Sequence, residues 1–422
     1  MPTLPLEVQI LIFHHLKDSS SNFRGYSSTL AVCGLVCRAW VSPSRTALFR
    51  RFVLDDQSVN EFLQLYDDPL ETFSLARICQ LDYQQSEVRR RIYLEDFDQP
   101  CCTFNNVLKW QSSDGKRDFA TLLSSVEWIE LGYFGWDTLD GEGRRRLAGC
   151  FASIKGVKLF GTEFHSSHAF RSFIQSLSSL RSLHLDDVVV WAGPDVVTAD
   201  RSDWEWSLDE EPNCLHTITL EQLSSRDGTN AIESLIPCPS LQNFSYSHYS
   251  GMKAHSSSRA AIVGRLLSSA GNSLEQLSIT TWSKCDETTD ENTFRTIDLS
   301  LNPNIRRIDL SIQASAYLNP FLERLIVSTG HAAGEPCLQS LSIEHLPQLE
   351  LDWGRLDNLL QHSFFSALRE ISCEMYLQEP EAHDESLQSV VPRAVVTKVE
   401  EFRSRLPQCE RRGILKINVK YE

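Results

Sequence analysis

The sequence predicts an α/β solenoid that follows a small N-terminal helical module. A short apolar pattern of strand type recurs along most of the chain, and between its copies the apolar residues change to helical spacing. The first residues lack this pattern and carry a positive net charge, whereas the rest of the chain is acidic. We therefore predict a helical module over residues 1–52, a linker with a degenerate capping repeat over 53–125, and the solenoid over 126–422.

The composition is that of a globular protein without a membrane segment. The chain has 422 residues, of which 41% are hydrophobic and 23% are charged, and no apolar run approaches the ~18 residues that a membrane helix needs. The N-terminus also lacks the basic start of a secretory signal. Several of the 12 cysteines stand singly within apolar patterns, which favours reduced thiols and a cytoplasmic or nuclear location. These cysteines include Cys33, Cys37, Cys214 and Cys373.

The charge is distributed unevenly along the chain. The total is −16, but residues 1–52 hold six basic and two acidic side chains, so this part carries +4 and the remainder carries −20. A strongly acidic surface repels phosphate backbones, and we therefore expect no nucleic-acid partner. We expect the basic module to attract an acidic protein.

The opening segment predicts a helix with more apolar surface than its own module can cover. Pro5 is typical of the first turn of a helix. One broad apolar stripe runs along the helix, and Ile10 and Phe13 extend it on both flanks. A second apolar helix over residues 30–40 and a short amphipathic turn that ends at Phe52 complete three predicted helical segments. The stripe consists of Leu4, Val8, Leu11, Ile12 and Leu16.

Three patterns in this module resemble the F-box. They are Leu4-Pro5-x-Glu7-Val8-x3-Ile12-Phe13-x2-Leu16, Leu35-Val36-Cys37-Arg38-x-Trp40, and Leu48-Phe49. The resemblance implies docking on a Skp-type adaptor, which joins the module to a cullin-based ubiquitin ligase. The polar link between the first two patterns is longer than in the usual F-box, and the alternative is that these residues form only the core of a small helical domain. The adaptor-binding residues that the resemblance implies are Leu4, Pro5, Val8, Ile12, Phe13, Leu16, Leu35, Val36, Cys37 and Trp40.

The recurring strand pattern is apolar-x-x-apolar-x-apolar, which directs three side chains inward as a loop enters a short strand. From Val126 to Leu368 successive copies start 26 to 35 residues apart, and the last copy starts 46 residues later. The ten copies are Val126-Ile129-Leu131, Ile154-Val157-Leu159, Leu180-Leu183-Leu185, Leu215-Ile218-Leu220, Leu241-Phe244-Tyr246, Leu274-Leu277-Ile279, Ile305-Ile308-Leu310, Leu338-Leu341-Ile343, Leu368-Ile371-Cys373 and Ile414-Ile417-Val419.

Segments between the copies, such as 170–177 and 395–406, have helical spacing and predict a parallel sheet with helices on its outer face. The pattern resembles the leucine-rich repeat, so the chain is similar to fungal-type F-box proteins with a leucine-rich-repeat-like solenoid. The Asn or Cys that usually follows the third apolar position is absent, and we expect irregular repeats in which other groups satisfy the turn backbone. Leu75, Ile78 and Leu81 predict a degenerate first strand. An ordinary doubly wound α/β domain is the alternative.

The polar strand positions predict a surface for a protein partner. Because strand side chains alternate, the residues beside the second and third apolar positions line the concave face of the sheet. Two insertions, 186–213 and 282–291, place tryptophans among carboxylates, which suits a basic protein partner, although a solvated loop is the alternative. The candidate partner-binding residues are Trp128, Glu130, His184, Asp186, Trp191, Trp204, Trp206, Trp282 and Asp309.

No pattern predicts catalysis, a metal site or a cofactor. The sequence lacks a phosphate-binding Gly-rich loop, a paired-histidine zinc signature and a nucleophile elbow. The F-box resemblance implies a substrate-recruiting subunit of a Skp–cullin–F-box ubiquitin ligase, and we predict that the chain is not itself an enzyme. One alternative is a scaffold that binds the adaptor without directing ubiquitination. The other is a hydrolase-like α/β enzyme hidden by irregular repeats.

Overall fold

The computed structural model divides the chain into two compact units, Met1–Leu180 and Arg181–Glu422, which we call unit 1 and unit 2. Among the described residues, no helix has the length and apolar character that crossing a membrane requires. The structure describes residues 32–33, 40–41, 44, 47–48, 50–55, 58–67, 78–84, 102–133, 135–136, 139–191, 214–222, 228–249, 256–282, 297–312, 318–329, 337–344, 351–377 and 391–421.

Unit 1 contains a parallel sheet whose strands alternate with helices. Its strands are β1 (Arg51–Asp55), β2 (Gln80–Gln84), β3 (Trp128–Gly132), β4 (Gly156–Phe160) and the two-residue β5 (Glu163–Phe164). Its helices are α1 (Ser58–Asp67), α2 (Cys102–Leu108), α3 (Phe119–Leu123), α4 (Gly141–Cys150) and α5 (Ser167–Ser176). Each of β1 to β3 pairs in parallel with the next strand in the chain, up to β4.

Unit 2 repeats the same arrangement over more strands. Its strands are β6 (Ser182–Asp186), β7 (Val189–Val190), β8 (Thr217–Glu221), β9 (Asn243–Tyr249), β10 (Gln276–Trp282), β11 (Arg307–Ile312), β12 (Ser340–Glu344), β13 (Glu370–Leu377) and β14 (Leu415–Tyr421). Its helices are α6 (Gly228–Ser234), α7 (Ser256–Ala270), α8 (Leu318–Thr329), α9 (Trp353–Leu359), α10 (Val391–Arg405) and α11 (Pro407–Arg411). Strand β6 pairs with β8, and from β8 to β14 each strand pairs in parallel with its successor.

All ten copies of the predicted strand pattern fall on described strands, which confirms the predicted α/β solenoid, but the frame of the last copy is wrong. In β14, Leu415 stands beside Ile371 and Ile417 beside Cys373, and Ile417 and Val419 are only half-buried. In earlier copies the second apolar positions stand side by side in register, as in Leu183 with Ile218, Ile218 with Phe244, and Leu277 with Ile308. These side chains are at most 2% exposed. Burying such a side chain contributes about 1.5–3 kcal/mol, so an in-register apolar stripe stabilises every strand of the stack.

The other side of each strand is open. In β8, Ile218 and Leu220 are buried, whereas Thr217, Thr219 and Glu221 are only half-buried. Because strand side chains alternate between the two faces, the helices cover one face of the sheet and leave the opposite face accessible.

Several kinds of side chain replace the polar ladder that the sequence lacks. Ser125 and Ser153 each donate a hydroxyl to the carbonyl of the first apolar residue of the preceding repeat, at 2.8 and 2.9 Å. The thiol of Cys238 makes the equivalent contact in unit 2, at 3.6 Å. Asn302 donates its amide to two carbonyls at and just beyond the end of α7, at 2.8 and 2.9 Å. The expected irregularity of the repeats is therefore visible in how their turns are satisfied.

Several strands are followed directly by a residue with left-handed backbone conformation. Tyr133 (φ 54°), Gly161 (φ 55°), Asp187 (φ 52°) and Gln222 (φ 47°) directly follow β3, β4, β6 and β8. A residue with a Cβ adopts this conformation at a cost of about 1 kcal/mol. The geometry of the repeat therefore imposes the turn, whichever residue type occupies the position.

The first two strands contain other residues than the sequence predicted. Phe52 lies in β1 instead of ending a helical turn. In β2 the buried residues follow the pattern Ile78-Leu81-Tyr83, each 1% exposed, whereas Leu75 lies outside the described residues. The prediction missed this copy because it started the frame at Leu75 instead of Ile78. Two parallel strands therefore precede residue 126.

Four of the described cysteines are buried in the core. Burial raises the pKa of Cys150, Cys238, Cys373 and Cys409 to about 12, so these groups stay protonated at neutral pH. Cys214 departs from the expectation, because it is exposed where the chain enters β8.

Candidate functional site

Two open sheet faces, one in each unit, carry the side chains that point away from the core. The unit 1 face consists of Arg51, Asp82, Trp128, Glu130, Lys158 and Phe160. The unit 2 face consists of His184, Asp186, Thr219, Glu221, Ser245, Ser278, Arg307, Asp309, Ser342, Glu370, Ser372, Glu374, Lys416 and Lys420.

Charges on the unit 1 face are paired with one another. The guanidinium of Arg51 lies 2.5 Å from Asp82 and 3.9 Å from Glu130, and the ammonium of Lys158 lies 3.9 Å from Glu130. The carboxylate of Asp82 is almost fully buried and also accepts from Gln80 at 3.0 Å. Two cations therefore offset two carboxylates, and Glu130, a predicted partner-binding residue, already has cationic neighbours.

Three aromatic residues flank these charges, Trp128 at the start of β3 and Tyr133 with Phe160 at the other end of β3 and β4; we call the three together the aromatic patch. The ring of Trp128 covers Gly156 so closely that a Cβ at Gly156 would lie 1.9 Å from it. The rings of Tyr133 and Phe160 meet edge-on with centroids 5.0 Å apart. All three aromatic residues are half-buried. Rigid aromatic side chains that remain accessible suit a protein partner, because they supply contact area at little entropic cost.

The middle of the unit 2 face is a shallow floor of small polar side chains. These side chains follow one another in register across six neighbouring strands, with Asp309 of β11 among them. Hydroxyl groups can donate and accept hydrogen bonds, so this floor is compatible with many polar surfaces. Its small members are Thr219, Ser245, Ser278, Ser342 and Ser372.

Charged residues within this floor and beside it form ion pairs. The carboxylate of Asp309 accepts from Nε of Arg307 at 2.8 and 3.0 Å, and this hydrogen bond raises the pKa of Arg307. Asp309, a predicted partner-binding residue, is thus held by its neighbour on the same strand. Two cross-strand pairs between β14 and β13 have N–O distances of 2.7 and 2.6 Å and comprise Lys416 with Glu370 and Lys420 with Glu374.

Three potential ligand groups meet at the ends of β6 and β8. Nε2 of His184 lies 3.2 Å from Oε2 of Glu221, and one ligand atom each of His184, Asp186 and Glu221 lie within 4.8 Å of one another. We call these residues the 184/186/221 cluster. Asp186 is only 7% exposed, although the sequence placed it on an accessible face. The sequence analysis missed the convergence, although the strand pattern contains it: aligning Leu185 with Leu220 sets Asp186 beside Glu221.

The remaining predicted partner-binding residues have separate outcomes. Trp191 follows β7 and is 40% exposed. Trp282 ends β10, and its side chain lies outside the description. Trp204 and Trp206 lie outside the described residues. Trp191 therefore adds an accessible ring in unit 2.

Most of the predicted adaptor-binding residues also lie outside the description. Trp40 is helical and half-buried, and its carbonyl accepts from the hydroxyl of the buried Ser44. The other nine residues stay predictions from the sequence and are Leu4, Pro5, Val8, Ile12, Phe13, Leu16, Leu35, Val36 and Cys37.

Comparison with known proteins identifies the N-terminal module. Residues 1–55 match the F-box-like family, which confirms the resemblance that the sequence patterns carry. No curated protein sequence matches the chain.

Two solved structures show a distant similarity to this chain. The leucine-rich repeat-containing protein LegL7 from Legionella pneumophila is 12% identical with a TM-score of 0.37, and the match covers 81% of this chain and 88% of that one. The Rad7 and Elc1 complex in yeast is 13% identical with a TM-score of 0.32, covering 87% of this chain and 81% of that one. At these scores the likenesses decide neither function nor partner.

Proposed function

We propose that this protein recruits substrates to a Skp–cullin–F-box ubiquitin ligase. The N-terminal module docks on the Skp-type adaptor, and the sheet faces hold a target protein. The chain supplies no catalytic group in this proposal. It acts by raising the concentration of the target near the enzyme that transfers ubiquitin.

The observation that carries the proposal is the F-box-like match over residues 1–55. The apolar residues of the first predicted helix exceed what three short helices can bury among themselves, which supports a covering partner. The open faces support the second half of the proposal, because a solenoid that leaves one sheet face accessible offers an extended binding surface.

The adaptor contact is tested by co-purification of the full chain with a Skp-type adaptor. We expect the double variant Pro5→Ala and Phe13→Ala to abolish co-purification, since it removes apolar contact area from the docking helix. His14→Ala, on the polar side of the same predicted helix, is the matched control and should retain the adaptor. Full retention by a folded double variant would refute the docking role.

The target contact is tested on the aromatic patch of unit 1. Proteins that co-purify with both the full chain and residues 56–422 are candidate targets, because they do not depend on the module. Trp128→Ala should weaken such a target about tenfold or more, and Gly156→Ala should do the same by displacing the Trp128 ring. Lys155→Ala is the control, because Lys155 makes an exposed pair with Glu127 beside β4.

Ubiquitination of the target in the reconstituted complex separates recruitment from the scaffold alternative. We expect ubiquitin transfer that requires the N-terminal module and Trp128. A target that binds through the aromatic patch but is never ubiquitinated would assign the chain to the scaffold class.

A further inference from the structure

We propose that His184, Asp186 and Glu221 form a binding site for a divalent transition-metal ion of the zinc type. The inference is independent of the proposed ligase role, since it rests only on the geometry and chemistry of the 184/186/221 cluster in unit 2.

The spacing of the donor atoms fits a shared cation. Two ligands at about 2.1 Å from a tetrahedral ion are roughly 3.4 Å apart. Nε2 of His184 and Oε2 of Glu221 are 3.2 Å apart, and the three ligand atoms all lie within 4.8 Å of one another. The side chain of Glu221 is 37% exposed, so it has the freedom to change its torsions when an ion binds.

The imidazole nitrogen is oriented towards the carboxylates without a hydrogen bond. Nε2 of His184 is fully enclosed and has no hydrogen-bond partner among the residues that the structure describes. Its nearest carboxylate oxygen belongs to Glu221, at a distance typical of two ligands of one ion. A neutral imidazole presents a lone pair at this atom, and that lone pair is what a metal ion accepts.

Burial increases the benefit of a cation at this place. Asp186 as a whole residue is 93% buried, and a carboxylate oxygen of Asp186 lies within 4.8 Å of one of Glu221. Two carboxylates that approach each other away from water repel, and the desolvation of the buried one adds to the cost. A divalent cation offsets both costs, whereas clusters of exposed carboxylates gain much less from one.

The backbone holds the three residues in place before any ion binds. His184 and Asp186 are two residues apart in β6 and therefore point to the same face of the sheet. Asp186 stands directly beside Glu221 of β8. The amide of Asp187 donates to the carbonyl of Glu221 at 3.3 Å, which ties the two strand ends together. The site therefore lies on paired strands, and binding an ion requires little ordering of the chain.

The donor set selects the class of ion. One imidazole with two carboxylates suits Zn²⁺, Co²⁺ or Mn²⁺, whereas Mg²⁺ and Ca²⁺ prefer oxygen ligands alone. Three protein ligands leave one position for water or for a group of a bound partner. Because His184 and Glu221 are partly exposed, that position opens towards the unit 2 face.

The test measures metal binding by the full chain after chelation and dialysis. Calorimetric titration with Zn²⁺ should show one ion bound per cluster, and the absorption spectrum of the Co²⁺ form should indicate nitrogen and oxygen ligands. His184→Asn and Glu221→Gln should each weaken Zn²⁺ binding at least tenfold. Loss of a residue that only supports a metal ligand already costs about tenfold in affinity, and loss of a ligand costs more. Glu344→Gln is the matched control, because Glu344 ends β12 at the position that Glu221 has in β8.

Each outcome decides the assignment. Binding that both variants weaken and the control retains supports the site. Absence of binding, equal binding by the variants, or a thiolate charge-transfer band in the Co²⁺ spectrum would overturn it, the last by assigning the ion to cysteines. The thermal midpoints of the metal-free variants establish that they fold, and Asp186→Asn provides a third substitution if one of the others does not.

Discussion

One buried carboxylate, that of Asp357, holds helix α11 near the C-terminal end of unit 2. Removing this carboxylate tests how firmly α11 is held. Asp357 of α9 is 2% exposed. Its two carboxylate oxygens accept from the backbone amides of Gln408 at 2.9 Å and Cys409 at 3.1 Å, at the start of α11. These amides belong to the first turn of a helix, where the backbone offers no acceptor of its own.

The structure sets the size of the effect. Asp357→Ala leaves two amides without their acceptor at about 1–3 kcal/mol each, so we expect a loss of about 2–6 kcal/mol in local stability. Asp357→Asn keeps one acceptor oxygen and should lose about half as much. Glu323→Gln is the control, because Glu323 forms an exposed pair with Arg355 and its loss costs at most about 1 kcal/mol.

The assay is hydrogen exchange of the amides in α11 and β14 of the full chain, because local opening reports the stability of this end separately from the rest. Every 1.4 kcal/mol corresponds to a tenfold change, so a loss of about 3 kcal/mol in Asp357→Ala accelerates exchange more than ~100-fold. The order should be Ala fastest, then Asn, then the control. Equal exchange in Asp357→Ala and Glu323→Gln would show that the carboxylate does not hold this end.

Three further outcomes follow from the turns and thiols. Gly161→Ala should lower the unfolding free energy by ~1–3 kcal/mol, because a Cβ there lies 2.7 Å from the Tyr133 ring at a φ of 55°; Gly115→Ala, with φ 68° and open space, isolates the backbone share and should cost less. In maleimide labelling of the native chain, exposed Cys214 should react quickly and the buried thiols slowly, and equal rates would contradict the burial. Burial raises the pKa of the buried thiols from 9.0 to about 12, so their contribution to stability is complete below pH 9 and is lost as the pH rises towards 12. Thermal midpoints at pH 8 and pH 10.5 measure this loss of stability. A higher midpoint at pH 10.5 would contradict the prediction. The buried thiols are Cys150, Cys238, Cys373 and Cys409.

The strands were predictable because one physical requirement repeats in each of them. An apolar side chain such as Ile218 must match its neighbours in register, since displacement by one residue would turn it to the open face. The same reasoning failed at β2, because the predicted frame ran from Leu75 to Leu81, whereas Ile78, Leu81 and Tyr83 fit the pattern and are each 1% exposed. Starting the frame at Ile78, with tyrosine allowed as it is at Tyr246, includes this strand.

The sites were less predictable, because they depend on neighbours that are distant in the sequence. His184 and Glu221 are separated by a long insertion, and only the pairing of β6 with β8 brings them together. Which face residues have ionic partners, as Glu130 and Asp309 do, is likewise set by the neighbouring strand or by side-chain geometry. Alternation identifies the face but does not say which of its groups remain available.

The left-handed turns connect the repeat geometry with the candidate sites. Among the described residues, a side chain occupies this conformation at Tyr133, Asp187 and Gln222, whereas Gly161 meets the same requirement without a Cβ. Tyr133 belongs to the aromatic patch, and the other two directly follow Asp186 and Glu221 of the 184/186/221 cluster. Glycine at these positions would remove about 1 kcal/mol of strain each, so a side chain there stands against the local backbone preference. This cost falls beside the residues for which we propose binding, and strained backbone conformations cluster at binding sites.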